Sequence, residues 1–366
     1  MNVTIAGGGT AGHVIPAIAL ARALDGHNVS FVGTAAGSEA RLVPAAGFSL
    51  ETIEVVGFDR SKPLTIPATG IRALAAVRRA RAIVQTRPPH VVVGVGGYVS
   101  LPVCIAARSL RTPVVLHEQN IVLGLANKIC SRFARRVAVS FEETLQKVGR
   151  RGVMTGNPVL PELAGADFAA ERAASFRRFE LDPDRRTLLV FGGSQGAQRI
   201  NAAAAGLAEA WRSRTDLQVL HLTGRANFQS VREQVGRAQG SGLIYRTLDY
   251  LDGMVPAYAV ADLALCRGGA TTVAELGVAG LPAVIVPYPY HRDRQQERHG
   301  RVLEAAGAAI VLEDAATTTD AVARIAGRIL SENDVRTRMS AAASEHGIPD
   351  AAARLARVVE EVGRAH

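Results

Sequence analysis

The chain has 366 residues, of which 48% are hydrophobic, 20% charged and 36 glycine, which excludes a disordered chain and suits two α/β domains rather than one core. A formal charge of +9 favours anionic partners such as a phosphorylated substrate or an anionic membrane. Only 5% of residues are aromatic and no basic–aromatic motif is present, which argues against nucleic acid.

Met1-Asn2 runs straight into an apolar strand, with no basic region or cleavage site of a signal peptide. Strands are predicted over 3–6, 29–32, 91–95, 114–117, 137–139 and 153–155. Helices are predicted between them over 16–24, 38–46, 71–86, 101–109 and 124–133. Strands separated by helices imply parallel βαβ units. The uncharged stretch 91–107 approaches membrane length, but Gly94, Gly96, Gly97 and Pro102 make it a buried strand and a loop. Cys104, Cys130 and Cys266 are odd in number and far apart, as reduced cytosolic thiols are.

Gly156-Asn157-Pro158 and Pro161 interrupt the alternation, and a charged segment, 171–186, follows. A second alternation places strands over 188–191, 218–222, 243–247, 263–266, 283–286 and 309–311. The expected fold is therefore α/β, with two Rossmann-like, doubly wound parallel-sheet domains over 1–157 and 158–345. The segment 346–366 carries Leu355, Val358, Val359 and Val362 on one helical stripe, which can lie back across the first domain.

The chemistry gathers at strand ends. Gly7-Gly8-Gly9-Thr10-Ala11-Gly12-His13 satisfies G-x-G-x-x-G. A dinucleotide site also needs an acid at the end of the second strand, yet Val32 is followed by Gly33-Thr34 and no acid comes before Glu39. His13 falls at a helix N-terminus, where the dipole favours the neutral imidazole a general base needs; the bland reading is a structural histidine. Gly94-Val95-Gly96-Gly97-Tyr98-Val99-Ser100 suits close approach of an anion, or is a tight turn. His117-Glu118-Gln119-Asn120 ends a strand with four polar side chains, which reads as a sugar or acceptor site.

In the second half, Gly192-Gly193-Ser194-Gln195-Gly196-Ala197 repeats the strand–glycine–helix pattern. Cys266-Arg267-Gly268-Gly269-Ala270-Thr271-Thr272-Val273-Ala274-Glu275 offers a helix N-terminus to a diphosphate. Its Glu275 suits a ribose cis-diol, or is simply a first-turn dipole partner. Gln295 and Gln296 suit neutral sugar hydroxyls.

These segments, with Thr155-Gly156-Asn157-Pro158-Val159, resemble in order those of the bacterial undecaprenyldiphospho-muramoylpentapeptide N-acetylglucosaminyltransferases, GT-B enzymes of glycosyltransferase family 28. The resemblance implies two domains facing across a cleft. It also implies inverting transfer of N-acetylglucosamine from its UDP carrier to the C4 hydroxyl of lipid I, forming lipid II. It assigns proton removal to His13, with Glu118 as second candidate. Thr10, Ala11, Gly12 and Asn120 of the first domain contact the donor. In the second domain so do Ser194, Gln195, Gly196, Leu251, Ala270, Thr271, Thr272, Val273, Ala274, Glu275, Gln295 and Gln296. Gly96, Gly97, Tyr98 and Ser100 receive the acceptor.

No cofactor and no integral metal are expected. The resemblance further implies a peripheral enzyme on the cytoplasmic side of the cell membrane, with cell-wall synthesis proteins as candidate partners. Lys62 to Pro67 and the segment 71–81, which mixes Ile71, Leu74 and Val77 with Arg72, Arg78, Arg79 and Arg81, form the candidate membrane patch; a solvated helix is the alternative. Leu160 stands where the family often carries an arginine, leaving Arg199 or Arg267 as substitutes, and Gly268 stands where serine is expected. The alternatives are a GT-B transferase for another hydrophobic acceptor and a non-catalytic nucleotide-sugar-binding protein.

Overall fold

All strand pairings in the computed structural model are parallel, and they form two separate sheets. The structure describes residues 1–55, 66–192, 197–238, 240, 242–290 and 293–365. The first sheet contains β1 (Asn2–Ala6), β2 (Asn28–Gly33), β3 (Ser49–Thr52), β4 (Val91–Gly94), β5 (Val114–Glu118), β6 (Arg136–Val139) and β7 (Gly152–Met154). Their order is β3-β2-β1-β4-β5-β6-β7. The second sheet contains β8 (Arg186–Phe191), β9 (Leu217–Leu222), β10 (Ile244–Leu248), β11 (Leu263–Cys266), β12 (Ala283–Ile285) and β13 (Ala309–Val311), in the order β10-β9-β8-β11-β12-β13.

Each sheet thus starts at its centre, grows to one side, and then crosses back to grow on the other. The switch point lies between β1 and β4 in the first sheet and between β8 and β11 in the second. Ligands of such sheets bind beyond the carboxyl ends of the strands at that point. Central strands are covered on both faces: every residue of β4, β5, β9 and β11 is buried, and most are apolar.

The chain divides into two compact units, 1–161 with 349–366, and 162–348. The helix Ala351–Arg364 packs on the helix Ala11–Ala23 and buries Leu355, Val358 and Val359 in the same cluster as Val3, Ile5, Leu20 and Val91. His27 Nε2 lies 3.3 Å from Glu360 Oε1 at its edge. All three cysteines are buried and none forms a disulfide. Among the described residues no helix is long and apolar enough to cross a membrane.

Several elements differ from the sequence reading, among them the helix Glu142–Val148, which that reading does not contain. β3 is an unpredicted edge strand, pairing Ser49 with Ser30 and Thr52 with Gly33; it has four largely exposed residues and no apolar run to mark it. The charged segment conceals a helix, Phe168–Phe179, whose N-terminus Asp167 caps by accepting from Ala170 N–H at 3.0 Å. Glu171, Arg177 and Arg178 are exposed, Arg172 donates to Ala259 O at 2.7 Å, and Phe176 and Phe179 are buried.

Leu355 is fully buried. Leu355→Ala is expected to destabilise the first unit by about 3 kcal/mol through lost transfer energy and a residual cavity. Thermal denaturation checks this, and an unchanged Tm contradicts that helix's place in the core.

Candidate active site

Ala6 of β1 stands beside Gly94 of β4, so the turns leaving these strands emerge together. They meet backbone to backbone. Gly97 has φ +77°, and a Cβ there would sit 2.5 Å from the Gly8 carbonyl oxygen. A Cβ at Gly96 (φ +93°) would sit 2.9 Å from His13 Cδ2, so the His13 ring rests on bare backbone. His13 is the third residue of the helix Ala11–Ala23, with Nδ1 3.1 Å from Thr10 Oγ1. Burial lowers its pKa and the Glu39 charge opposes that shift, so the ring is neutral near pH 7. Thr10 and Gly12 are exposed, Ala11 is partly exposed, and Tyr98 stands 61% exposed at the opposite turn. Ser100 differs from its expected role: it is fully buried, and its hydroxyl donates to Ala6 O at 3.2 Å and accepts from Gly96 N–H at 3.4 Å.

The end of β5 also differs from a simple sugar site. His117, Glu118 and Gln119 are all buried. Gln119 Nε2 donates to Val95 O (3.0 Å) and to His117 Nδ1 (3.2 Å), so His117 carries its proton on Nε2 and donates to Gly156 O at 3.3 Å. Burial pushes the His117 pKa down to about 4. Glu118 Oε1 accepts from Asn120 N–H and Nδ2, while Oε2 accepts from Gly124 N–H and Asn127 Nδ2, all within 3.2 Å. These residues brace the strand-end loops, and only Asn120 remains partly exposed. Polar capacity is nevertheless left over: Gln119 Oε1, Asn127 Oδ1 and both side-chain atoms of Asn157 are buried without a hydrogen-bond partner. These neutral groups suit a hydroxyl, an amide or an ordered water.

In the second unit, Ser194, Gln195 and Gly196 lie outside the described residues. The helix that follows them, Gln198–Ala210, is pinned by Asn201, whose Nδ2 donates to Thr223 O at 2.9 Å. Its Oδ1 therefore accepts from His221 Nε2 (3.0 Å), and His221 Nδ1 accepts from the Tyr245 hydroxyl (2.9 Å). Burial drives His221 down to about 3. A carbonyl–Asn–His–Tyr chain, legible in no local motif, thus anchors that helix.

Beyond β11, Gly269 opens the helix Ala270–Ala279. Val273 N–H closes its first turn on Gly269 O at 2.9 Å and its side chain is buried. Ala270, Thr271, Thr272, Ala274 and Glu275 are partly exposed. A helix opening points backbone N–H groups outward, as an anion requires. Glu275 Oε2 accepts from the Tyr258 hydroxyl at 2.7 Å, and burial pushes the carboxyl up to about 7 against that hydrogen bond. Leu251 is partly exposed after β10, next to Tyr250, whose ring carries the Arg225 guanidinium 4.9 Å from its centroid.

The Gly268 departure has a packing reason: a side chain there would overlap the backbone carbonyl of Gln296. Gln296 Oε1 accepts from Tyr288 N–H (3.0 Å), and Gln295 Nε2 donates to Asp293 (2.5 Å). Neither arginine proposed to stand in at Leu160 is unengaged. Arg267 donates to Val286 O, Pro287 O and Asp314, and Arg199 pairs with Asp314 at 2.9 Å. Leu160 itself packs on the first unit's core.

Two parallel sheets of this strand order form the GT-B architecture. Residues 3–139 match the glycosyltransferase family 28 N-terminal domain and residues 187–355 its C-terminal domain. The chain is 43% identical to a Nocardioides sp. UDP-N-acetylglucosamine--N-acetylmuramyl-(pentapeptide) pyrophosphoryl-undecaprenol N-acetylglucosamine transferase, over 99% of this chain and 98% of that one. It is 41% identical to the protein of the same name from Mycolicibacterium paratuberculosis, over 100% and 89%. Among solved structures, Acinetobacter baumannii MurG superimposes with a TM-score of 0.80 at 27% identity, over 98% of this chain and 99% of that one. The chain belongs to glycosyltransferase family 28. The resemblance read from the motifs and the two-domain α/β fold are both borne out.

Glu275 provides a direct test of the electrostatics. Its folded pKa lies above the ordinary value of 4.5, so the protonated form favours folding below that value and the contribution is lost as pH rises through about 7. Tyr258→Phe removes the hydrogen bond that lowers this pKa. Carbon-13 NMR titration is expected to move the Glu275 midpoint above 7 in the variant. An unchanged or lower midpoint contradicts the assignment.

Proposed function

We propose that the protein transfers N-acetylglucosamine from UDP-N-acetylglucosamine to the C4 hydroxyl of the N-acetylmuramoyl-pentapeptide of lipid I, with inversion, forming lipid II. The full-length likeness to relatives of that named activity carries the reading. The site chemistry supports it. A neutral His13 accepts the acceptor hydroxyl's proton as that oxygen attacks the anomeric carbon, and UDP leaves from the opposite face. Glu118 already accepts four hydrogen bonds, which favours positioning Asn120 over proton removal. Tyr98 with the Gly96-Gly97 turn serves the acceptor. The helix opening at Ala270–Thr272 stabilises charge growing on the leaving diphosphate. Glu275 takes the ribose cis-diol in its ionised form, so the cost of ionising it is offset by the hydroxyls that donate to it. Gln295 and Gln296 hold the sugar, and Leu251 borders the base. In this reading the first unit serves the acceptor and the second the UDP-sugar.

Incubation with radiolabelled UDP-N-acetylglucosamine and a short-chain lipid I analogue is expected to yield a disaccharide lipid, a product neither alternative forms. His13→Ala is expected to lower turnover by ~10²-fold or more, the usual scale of general-base catalysis, with donor KM changed only a few-fold. Near-normal turnover removes His13 from the role.

The same reading puts the protein at the cytoplasmic face of the membrane, where its lipid acceptor resides. The helix Ile66–Thr86 supports this on its described side chains. Ala76, Ala80 and Val84 are buried, whereas Arg72, Arg78 and Arg79 are exposed beside Leu74, which is 52% exposed. Val77 is only partly exposed, and Arg81 donates to Ser109 Oγ at 2.6 Å, so both contribute less than the sequence alone implies. Most of the segment 62–67 lies outside the described residues. Reversing the charge of Arg72, Arg78 and Arg79 is expected to weaken binding to anionic vesicles by ~100-fold or more, read by sedimentation, at about 1 kcal/mol per basic residue near the surface. Undiminished sedimentation rejects the patch.

A further inference from the structure

Glu39 lies outside every role derived so far, yet it is among the most fully buried acids of the first unit, at 1% exposure. It starts the helix Glu39–Ala45, six residues beyond the last residue of β2. Its Oε2 accepts from Gly9 N–H at 2.8 Å. Its Oε1 accepts from Thr34 N–H at 2.8 Å and from Thr34 Oγ1 at 2.7 Å. Room for the carboxylate comes from three glycines: a methyl added at Gly8, Gly33 or Gly37 would overlap Glu39. Ser38 N–H donates to Gly9 O at 3.3 Å, closing the same loop from the other side. A buried carboxylate needs strong donors to stay ionised. These donors, together with Glu39's own backbone N–H, hold its pKa below the ordinary carboxyl value despite the burial.

We propose that Glu39 is the positioning residue of the first glycine loop: its carboxylate takes, from within the chain, the place at the Gly9 amide that a dinucleotide-binding loop leaves for its ligand's phosphate, and so sets the loop under His13. Two consequences follow. The loop rejects a phosphate, because a second anion there would face a buried carboxylate and find Gly9 N–H already engaged. The fixed charge also raises the basicity of His13 against burial. The titratable groups that act on His13 are Glu39, from the helix after β2, and His117, from β5, which stays neutral.

The kinetic part of this inference rests on the reading of His13 as proton acceptor, while the structural part does not. The test therefore pairs turnover with a nitrogen-15 NMR titration of His13, which needs no substrate. Glu39→Gln keeps the shape, removes the charge and turns an NH2 toward a donor. It is expected to lower the His13 midpoint by ~0.5 pH unit or more and to cut turnover ~10–100-fold, with donor KM changed less than ~3-fold. A folded Glu39→Gln protein with both the His13 midpoint and turnover unchanged overturns the proposal. A lowered midpoint in an assay where even the wild type transfers no sugar leaves Glu39 in place and removes the transferase reading instead. If Glu39→Gln does not fold, Thr34→Val decides: it keeps the charge and deletes one donor. It is expected to cut turnover ~3–10-fold with the His13 midpoint held, and unchanged turnover overturns the positioning role.

Discussion

The first unit depends on one close approach, that of the Gly96-Gly97 turn to the Gly7–Gly9 loop. The register of β1 against β4 brings the two turns out side by side, and there is no room between them for a side chain. Both turn glycines take positive φ, a conformation that costs most other residues. Once the backbones are in contact, the first turn of the helix Ala11–Ala23 has one place to lie, and His13 is laid on Gly96. A histidine there loses solvent, and its neutrality follows from that packing.

Packing of this kind exposes polar backbone at every strand end, and the two units answer it alike, with neutral buried side chains. His117 spans from Gln119 to the Gly156 carbonyl, and His221 spans from Tyr245 to Asn201. Both histidines are held far below their ordinary pKa, which makes them one-proton connectors that both donate and accept. A lysine or carboxylate could not do both. The networks differ in completeness. Every atom of the His221–Asn201 chain has a partner, whereas the His117 network leaves Gln119 Oε1, Asn127 Oδ1 and the Asn157 amide unspent.

These arrangements were unequally legible in the sequence. Twelve of the thirteen strands among the described residues stand where apolar runs and turn residues put them, because strands covered on both faces are largely apolar. β3 escaped because an exposed four-residue edge needs no such run. The strand-end glycines, His13 and Glu275 were visible because strand, glycine and helix follow one another directly. Tyr258 was not, since its hydroxyl reaches Glu275 from a different helix 17 residues away. Gly268 was noticed as a departure, but its reason, the Gln296 carbonyl, comes from 28 residues further on, and sequence spacing carries no trace of that distance. His117 and Gln119 misled for the opposite reason: a polar side chain at a strand end looks the same whether it faces a ligand or a neighbouring carbonyl.

Three carboxylates at strand ends show how a single fold separates structural from receptive groups. Glu39 accepts three donors within 2.8 Å, and its pKa falls although it is buried. Glu118 accepts four, longer on average, and burial still raises it. Among the described residues Glu275 accepts one hydrogen bond, from the Tyr258 hydroxyl, and it rises to about 7. Desolvation pushes all three upward, and the sign turns on whether short, strong donors outweigh it. The first two have their hydrogen-bonding capacity filled by their own chain and gain nothing further from a ligand. Glu275 is left short of donors, and that deficit is what the proposed ribose contact would fill. The first glycine loop, with its carboxylate built in, is therefore scaffold for His13, and the receptive carboxylate belongs to the second unit.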